Sequence, residues 1–505
     1  MSKKYFILLI MPVLLTVSCK KLDEKVYSSL TPEVYFRNAG DAKVALYGVY
    51  NTLNRQHFYT NDLYVMALLP SKYVLTRLGT HKPYASFNFA VTDPRISRTW
   101  ASLYLTISRA NAIIDRVPKI DMDQTLKAEY IGEAKFLRAM SYFYLVRLFG
   151  GVPLKIKETT GIEGIHSPRA SVEAVYDQII EDLQYAEIGL PPQRPVSERG
   201  RATRVAAKSL LGKVYLTMAG YPLKQTDKWD LARKKLKEVI DEKEIYNIDL
   251  LPSFKDIFDI AKEDANKEAI FAIQFSHVLD QGSALAFFAA PLNSDYATAY
   301  GQYNYGFTTA FRNLYTATDT RRDITTLWSY KAYNGATVTY GVSTYYRDPS
   351  GLALGKYQDG PAGTARSNVA HANDILILRY ADVLLMYAEA ENEVNGPGDI
   401  NDINSAYAFL NAVRARAGAT LQTTAVSKQD FRNLIYIERV KELAGELHEY
   451  FDVQRLERLK DHMDNSYEVA LAGMTYNTRS YLYPIPDDEI AVNNAINPED
   501  QNPGY

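Results

Sequence analysis

The stretch from Glu129 to Phe149 constrains the fold more than any other part of this sequence. Its apolar residues recur at helical spacing on two sides, which are Leu137, Tyr144, Leu145 and Leu148 on one and Phe136, Phe143 and Val146 on the other. A helix that is apolar on more than one face is usually buried between neighbouring helices. Gly150 and Gly151, followed by Pro153, end the stretch as expected at a helix C-terminus. The sequence therefore predicts a central helix enclosed by other helices.

Further helical segments occur in pairs that are separated by short turns. The periodicity predicts helices over residues 172–186, 204–219, 229–241, 375–394, 404–417 and 428–459. The arrangement is similar to tetratricopeptide-type helical hairpins, although the repeat period is blurred. We therefore predict a mainly α fold, with scaffold helices over about 40–250 and 375–460 and an extended C-terminal segment over 461–505.

The middle of the chain, over about 275–363, has a different composition. It is rich in Gly, Asn, Tyr, Thr and Ala, and its helical periodicity is weak. Short alternation from Thr337 to Val342 predicts small strands within an irregular, loop-rich insert. Long irregular segments are uncommon unless they are functional. We therefore expect the ligand surface in this variable insert, together with residues 70–98.

The N-terminus is typical of an exported lipoprotein. Lys3 and Lys4 precede an apolar run over residues 5–17, which is shorter than the roughly 20 residues of a membrane-spanning helix. A basic start followed by a short apolar stretch is typical of a signal peptide. Cys19 is the only cysteine, so it cannot form an internal disulfide. We predict a signal peptide over residues 1–18 and lipid attachment at Cys19; the alternative is an incidental cysteine in a discarded peptide.

Composition and motifs exclude several classes of function. There are 57 basic and 59 acidic residues, a balance that gives no support for nucleic-acid binding. The sequence contains no HExxH motif, no cluster of Cys and His, no G-x-S-x-G elbow and no Walker P-loop. We therefore expect no cofactor and no metal centre. The 39 tyrosines, against 3 tryptophans, are unusual; they either fill helix interfaces or form a contact surface.

A series of motifs in one order along the chain resembles the SusD/RagB family of outer-membrane nutrient-binding lipoproteins. The motifs are the runs at 133–139 and 148–154, 379–390, 410–418, 438–452, 483–490 and 501–505, with Trp100 to Tyr104 and Asn111 before them. One position departs from the family pattern. Glu449 stands where an arginine is common, so the local ion pair expected there is in doubt, but the fold is not.

The resemblance implies an architecture and a role. It implies one domain over residues 19–505, in which a tetratricopeptide-like scaffold packs against the variable insert. It further implies a lipid-anchored protein of the outer membrane, facing the cell exterior, that binds rather than cleaves its ligand. The implied partner is a TonB-dependent transporter resembling SusC, which the lipoprotein caps as a lid. The implied ligand is an oligosaccharide or polysaccharide, and in some relatives a peptide.

Candidate ligand-binding residues follow from the chemistry of sugars. A sugar ring needs a flat apolar face for its C–H surface and placed polar groups for its hydroxyls. Two segments and one tryptophan offer such groups, and the candidates are Arg77, Tyr84, Phe87, Asn88, Tyr296, Tyr300, Tyr303, Tyr305 and Trp328. For the tryptophan, a position in the core is the alternative.

Three glutamates could instead indicate an enzyme. Glu438, Glu442 and Glu446 recur every four residues and share one helix face, and paired carboxylates can cleave a glycosidic bond. The alternative is a structural network in which arginines pair with them, the candidates being Arg379, Arg414 and Arg439. The charged run from Asp319 to Asp323 is interpreted as a solvated or structural turn. Glycan binding is the favoured function; peptide binding, a surface glycosidase and a structural helical adaptor are the alternatives.

Overall fold

A computed structural model describes residues 36–55, 58–278, 281–297, 301–341, 351–360 and 370–505. The signal peptide, Cys19 and Tyr300 lie outside these residues. Within them the chain is mainly helical with a few short strands, and the predicted fold class is confirmed. No helix in the described part of the chain combines the length and the apolar character that crossing a membrane requires.

The first part of the scaffold is a series of helices that pack in sequence order. They are α1 (Ala39–Tyr50), α2 (Leu63–Leu68), α3 (Lys82–Ala85), α4 (Pro94–Arg116), α5 (Gln124–Phe149), α6 (Val172–Gly189), α7 (Arg204–Met218), α8 (Lys228–Asp241) and α9 (Lys243–Tyr246). From α4 to α8, each helix packs on the next. Four of them begin at a side chain that accepts a backbone N–H: Asp93, Asp123, Ser171 and Thr203.

Helix α5 is the central helix that the sequence predicts. From Tyr130 to Phe149 all its residues are buried except Arg147, which is partly buried. It ends at Gly150, whose φ of 74° is accessible to glycine at little cost. Neighbouring helices α4 and α6 enclose it.

The variable insert is built on short strands. In the described residues the strands are β1 (Val74–Thr76), β2 (Ala269–Ile273), β3 (Tyr305–Phe307), β4 (Ser329–Lys331), β5 (Thr337–Thr339), β6 (Leu352–Ala353) and β7 (Ile375–Arg379). They form an antiparallel sheet in the order β1-β3-β6, a β2-β7 pair and a β4-β5 hairpin. Three short helices lie between them: α10 (Leu285–Ala289), α11 (Thr309–Arg312) and α12 (Arg321–Thr325). The strand predicted near Thr337 is therefore present as β5.

The second part of the scaffold returns to helices. They are α13 (Tyr380–Asn395), α14 (Ala406–Arg416), α15 (Lys428–Glu442), α16 (Glu449–Arg455), α17 (Leu459–Asp464), α18 (Tyr467–Leu471) and α19 (Asp487–Val492). Helix α13 packs on α14 and α15 and also on α8, so the two parts of the scaffold share one core. The C-terminal segment, predicted as extended, contains short helices joined by irregular chain.

Two helix predictions need correction. Residues 375–379 form strand β7 instead of the start of a helix, because a short apolar run fits either element and here it pairs with β2. The segment 428–459 is not one helix, since α15 ends at Glu442. Gly445 and Leu447 then adopt φ values of 78° and 64°, which are incompatible with a right-handed helix.

Candidate functional site

Strands β1 and β3 bring together the two segments in which the sequence predicts a ligand surface. Val74 pairs with Phe307 and Thr76 with Tyr305. Beyond the strands, Arg77 donates its backbone N–H to the Asn304 carbonyl at 3.2 Å. Its guanidinium also donates to the Gln302 carbonyl at 2.6 Å. The two segments are therefore adjacent, as expected for one surface.

Four of the predicted aromatic residues nevertheless lie in the core. The exposed fractions are 1% for Tyr84, 0% for Phe87, 1% for Tyr303 and 2% for Tyr305. Their rings present no face to solvent, so we correct the prediction that they stack on a ligand. The physical reason is that a tyrosine ring fills a core as well as it forms a surface.

The two polar candidates from the first segment, Arg77 and Asn88, are exposed. Both also hold chain segments in place: Arg77 through its bonds to Asn304 and Gln302, and Asn88 because its side-chain Oδ1 accepts from the Arg479 guanidinium at 2.8 Å. They therefore remain at the surface as polar groups without an aromatic face beside them in this segment.

Trp328 differs from the other aromatic candidates because its side chain is 45% exposed. It lies directly before β4, so the core alternative for this residue is wrong. Its ring centre is 5.4 Å from that of the half-buried Tyr340, at an interplanar angle of 53°. The guanidinium carbon of Arg312 lies 5.4 Å from the Trp328 ring centre. We call Trp328, Tyr340 and Arg312 the aromatic ledge.

The hairpin that carries the ledge has its own small core. Tyr330 and Val338 face inward, whereas Ser329 and Lys331 face outward. The residues of this core are Tyr303, Leu327, Tyr330, Ala332, Val338 and Ala353. The Tyr330 hydroxyl donates to the Leu292 carbonyl at 2.8 Å and ties the hairpin to the preceding loop. Buried Tyr303 therefore supports the ledge from below.

Tyr296, the remaining aromatic candidate, lines a cleft of about 360 Å³. Its ring is half-buried, and burial raises the pKa of its hydroxyl. The polar residues of the wall are Lys255, Asp259, Asp295, Lys356 and Gln358. The buried Oδ1 of Asp295 has no hydrogen-bond partner among the described residues. An aromatic face with an unsatisfied carboxylate oxygen beside it suits a hydroxyl-rich ligand.

The sequence analysis missed the segment from Phe254 to Phe258, a 3₁₀ helix that forms one side of this cleft. Its aromatic and charged residues show no regular spacing. They also lie outside the predicted bounds of the insert, which are about 275–363. No local signal places them near Tyr296, because the contact depends on the folding of the insert.

The three glutamates of the scaffold form a buried ion-pair network instead of an open acidic face. Glu438 and Glu442 are fully buried, and Glu446 is 2% exposed. Arg379 pairs with Glu442 at 2.6 Å and with Glu446 at 2.7 Å, and Arg414 pairs with Glu438 at 2.7 Å. The predicted roles of these two arginines are confirmed. Since no solvent reaches the carboxylates, a substrate cannot reach them either.

The network also corrects two assignments. Arg439 pairs with Asp382 and Asp452 instead of the three glutamates. Arg321, from the charged run at 319–323, is fully buried and pairs with Glu438 and Glu442, each at 2.7 Å. The run is thus structural, and it leads into helix α12 instead of forming a solvated turn.

Neighbouring positive charges keep the Glu438 carboxylate of this network ionised. Burial alone raises the pKa of Glu438, but the charges of Arg321, Lys441 and Arg414 outweigh it and hold that pKa at about 2. A carboxylate that stays ionised cannot act as a general acid, which needs a raised pKa. The geometry therefore argues against the glycosidase interpretation.

Comparisons with known proteins give the same family that the motifs indicate. A model of the SusD family matches residues 267–505. A second model, described as starch-binding and associating with the outer membrane, matches residues 20–216. SusD-like protein P2 of Formosa agariphila is 27% identical over the full length of both chains.

Solved structures share the fold over almost the whole chain. A SusD homologue from Bacteroides thetaiotaomicron superposes with a TM-score of 0.80 at 24% identity, covering 94% of this chain and 98% of its own. A protein described as a laminarin-binding SusD-like protein superposes with a TM-score of 0.76 at 25% identity, covering 93% and 100%. The chain belongs to the SusD/RagB family.

Proposed function

We propose that this protein binds an oligosaccharide or polysaccharide at the aromatic ledge and in the Tyr296 cleft. The observation that carries the proposal is the exposed face of Trp328, held beside Tyr340 and Arg312 on a hairpin with its own core. Aromatic rings supply the flat apolar surface on which sugar rings stack, and the cleft supplies groups for hydroxyls. The laminarin-binding neighbour, which shares the fold, supports a glycan as the ligand class.

The proposal includes a place and a partner. The protein is anchored through a lipid on Cys19 to the outer membrane, faces the cell exterior, and delivers its glycan to a SusC-like TonB-dependent transporter. The family descriptions, which include association with the outer membrane, support this place. The delivery step rests on the family resemblance.

Affinity electrophoresis tests the ligand class directly. Gels that contain laminarin, starch or another polysaccharide should retard the protein in at least one case. Trp328→Ala should lose this retardation, because it removes the exposed ring. Tyr467→Ala serves as the matched control, since Tyr467 is 49% exposed and lies outside the ledge and the cleft.

The two ligand classes give different outcomes in this assay. If no polysaccharide retards the protein, and short peptides bind it in a titration but no longer bind Trp328→Ala, the ligand of the ledge is a peptide and the glycan proposal is wrong. If oligosaccharides compete for the retarded protein and peptides do not, the proposal is supported.

A further inference from the structure

A second pocket lies in the scaffold and shares no residue with the aromatic ledge or the Tyr296 cleft. Its volume is about 380 Å³, which lies within the range of small-ligand sites. It opens between helices α5, α6, α7 and α16 and the C-terminal segment. Its apolar wall includes Val146, Tyr176, Tyr221, Phe451 and Tyr481. The proposed function makes no use of this pocket.

The charge of the pocket wall is entirely positive. Four arginines line it, Arg147, Arg169, Arg455 and Arg479, and its lining contains no aspartate or glutamate. Arg455 pairs with Glu389 and Asp452, which lie outside the lining. In the described part of the chain, the other three have no carboxylate within ion-pair distance. For a chain whose net charge is −2, this is a local excess of positive charge.

Arg147 is held in a fixed plane by its neighbours. Its guanidinium carbon lies 3.7 Å from the ring centre of Phe143 and 3.8 Å from that of Phe451. Its Nε donates to the Phe143 carbonyl at 2.9 Å, and burial lowers its pKa. Aromatic rings cover the guanidinium, so an anion approaches along its edge, which is the bidentate geometry that carboxylates favour.

The two side-chain amides of the wall, Asn502 and Gln454, are already committed to the protein. The Asn502 amide donates to the carbonyls of Phe149 and Tyr483, and its oxygen accepts from Arg169. The Gln454 amide donates to the carbonyls of Arg147 and Tyr481. A neutral sugar needs acceptors for its many hydroxyls, and this wall supplies few. An apolar body with an anionic end fits the wall better.

We propose that the scaffold pocket binds a carboxylate joined to an aromatic or aliphatic body, the chemistry that a polypeptide presents at its C-terminus. The carboxylate takes the edge of the Arg147 guanidinium, and the apolar body packs against the tyrosines of the wall. A free small acid carries the same chemistry, so the test separates these two sources.

Matched probes test the proposal on the intact protein. N-acetylphenylalanine and its amide differ only in the negative charge, and their affinities can be measured by NMR titration. We expect the acid to bind at least about tenfold more tightly than the amide. A pentapeptide that ends in phenylalanine should bind more tightly than N-acetylphenylalanine if a polypeptide is the source, and no more tightly if a small acid is. Equal affinity of acid and amide, or preference for glucuronate, would overturn the proposal.

Variants locate the site. Arg147→Gln should weaken binding of the acid at least about tenfold and leave the weak binding of the amide unchanged. Arg479 lies at the partly exposed rim of the pocket, so Arg479→Gln should weaken binding of the acid about threefold. This second variant tests the site even if Arg147→Gln does not fold. Arg37→Gln is the control, because Arg37 is exposed and outside the pocket. If both pocket variants fold and bind the acid as the control does, the assigned pocket is wrong.

Discussion

Two arginines, Arg379 of the scaffold and Arg312 of the variable insert, differ in their surroundings. In the scaffold, Arg379 is 1% exposed and pairs with three carboxylates, those of Glu268, Glu442 and Glu446. In the insert, Arg312 lies beside Trp328, a ring that is 45% exposed. A buried charge that is fully paired stabilises the fold and is not available to a ligand. An exposed aromatic ring beside a cation is a surface that a ligand can contact. The proposed binding site therefore lies where an aromatic side chain is exposed and not where charged motifs are densest.

The largest effect should come from breaking the buried network. Arg379→Met removes the buried cation that Glu268, Glu442 and Glu446 share, and breaking buried ion pairs in this way costs about 3–5 kcal/mol of unfolding free energy. Urea denaturation measures this loss. The control is Arg37→Met, whose exposed pair with Asp41 should change stability by less than about 1 kcal/mol. Similar losses in the two variants would contradict the structural role of the network.

A smaller effect concerns Glu449, the position that departs from the family pattern. Its carboxylate accepts the Ser71 hydroxyl at 2.8 Å, and burial raises its pKa to about 7. Since the pKa is raised in the folded state, its contribution to stability is full below about pH 4.5 and is lost as the pH rises through about 7. The loss is about 3 kcal/mol at most.

Unfolding midpoints measured in urea from pH 4.5 to 8 test this prediction. The pKa of Glu263 is also raised to about 7, so the slope with pH should decrease in Glu449→Gln but not vanish. An unchanged slope would show that Glu449 does not titrate in this range.

The sequence predicts the scaffold better than the insert, for a physical reason. Helical periodicity is local, so it identifies α5 and also places Glu438 and Glu442 on one face. Arg321, however, reaches Glu442 across 121 residues of sequence, and no local pattern indicates that pair. For the tyrosines, the same residue type serves the core and the surface, and only the pairing of β1 with β3 decides that Tyr305 is buried.

The smallest predicted effect on stability concerns Tyr305, a buried aromatic residue of the insert, in contrast to the exposed Trp328. The hydroxyl of Tyr305 is buried and has no hydrogen-bond partner among the described residues. Tyr305→Phe removes an unsatisfied polar group and should stabilise the protein by about 1 kcal/mol, with glycan affinity unchanged. Thermal unfolding and titration with the same glycan check both parts. If Tyr305→Phe loses glycan affinity, Tyr305 belongs to the ligand surface after all.

The most direct test of the account is isothermal titration of the protein with a glycan that retards it in affinity gels. We predict that Trp328→Ala weakens binding about five- to tenfold, because stacking on one exposed ring contributes about 1–1.5 kcal/mol. Tyr467→Ala and Tyr305→Phe should bind as the unaltered protein does. If Trp328→Ala folds and binds the glycan with unchanged affinity, the aromatic ledge is not the glycan site.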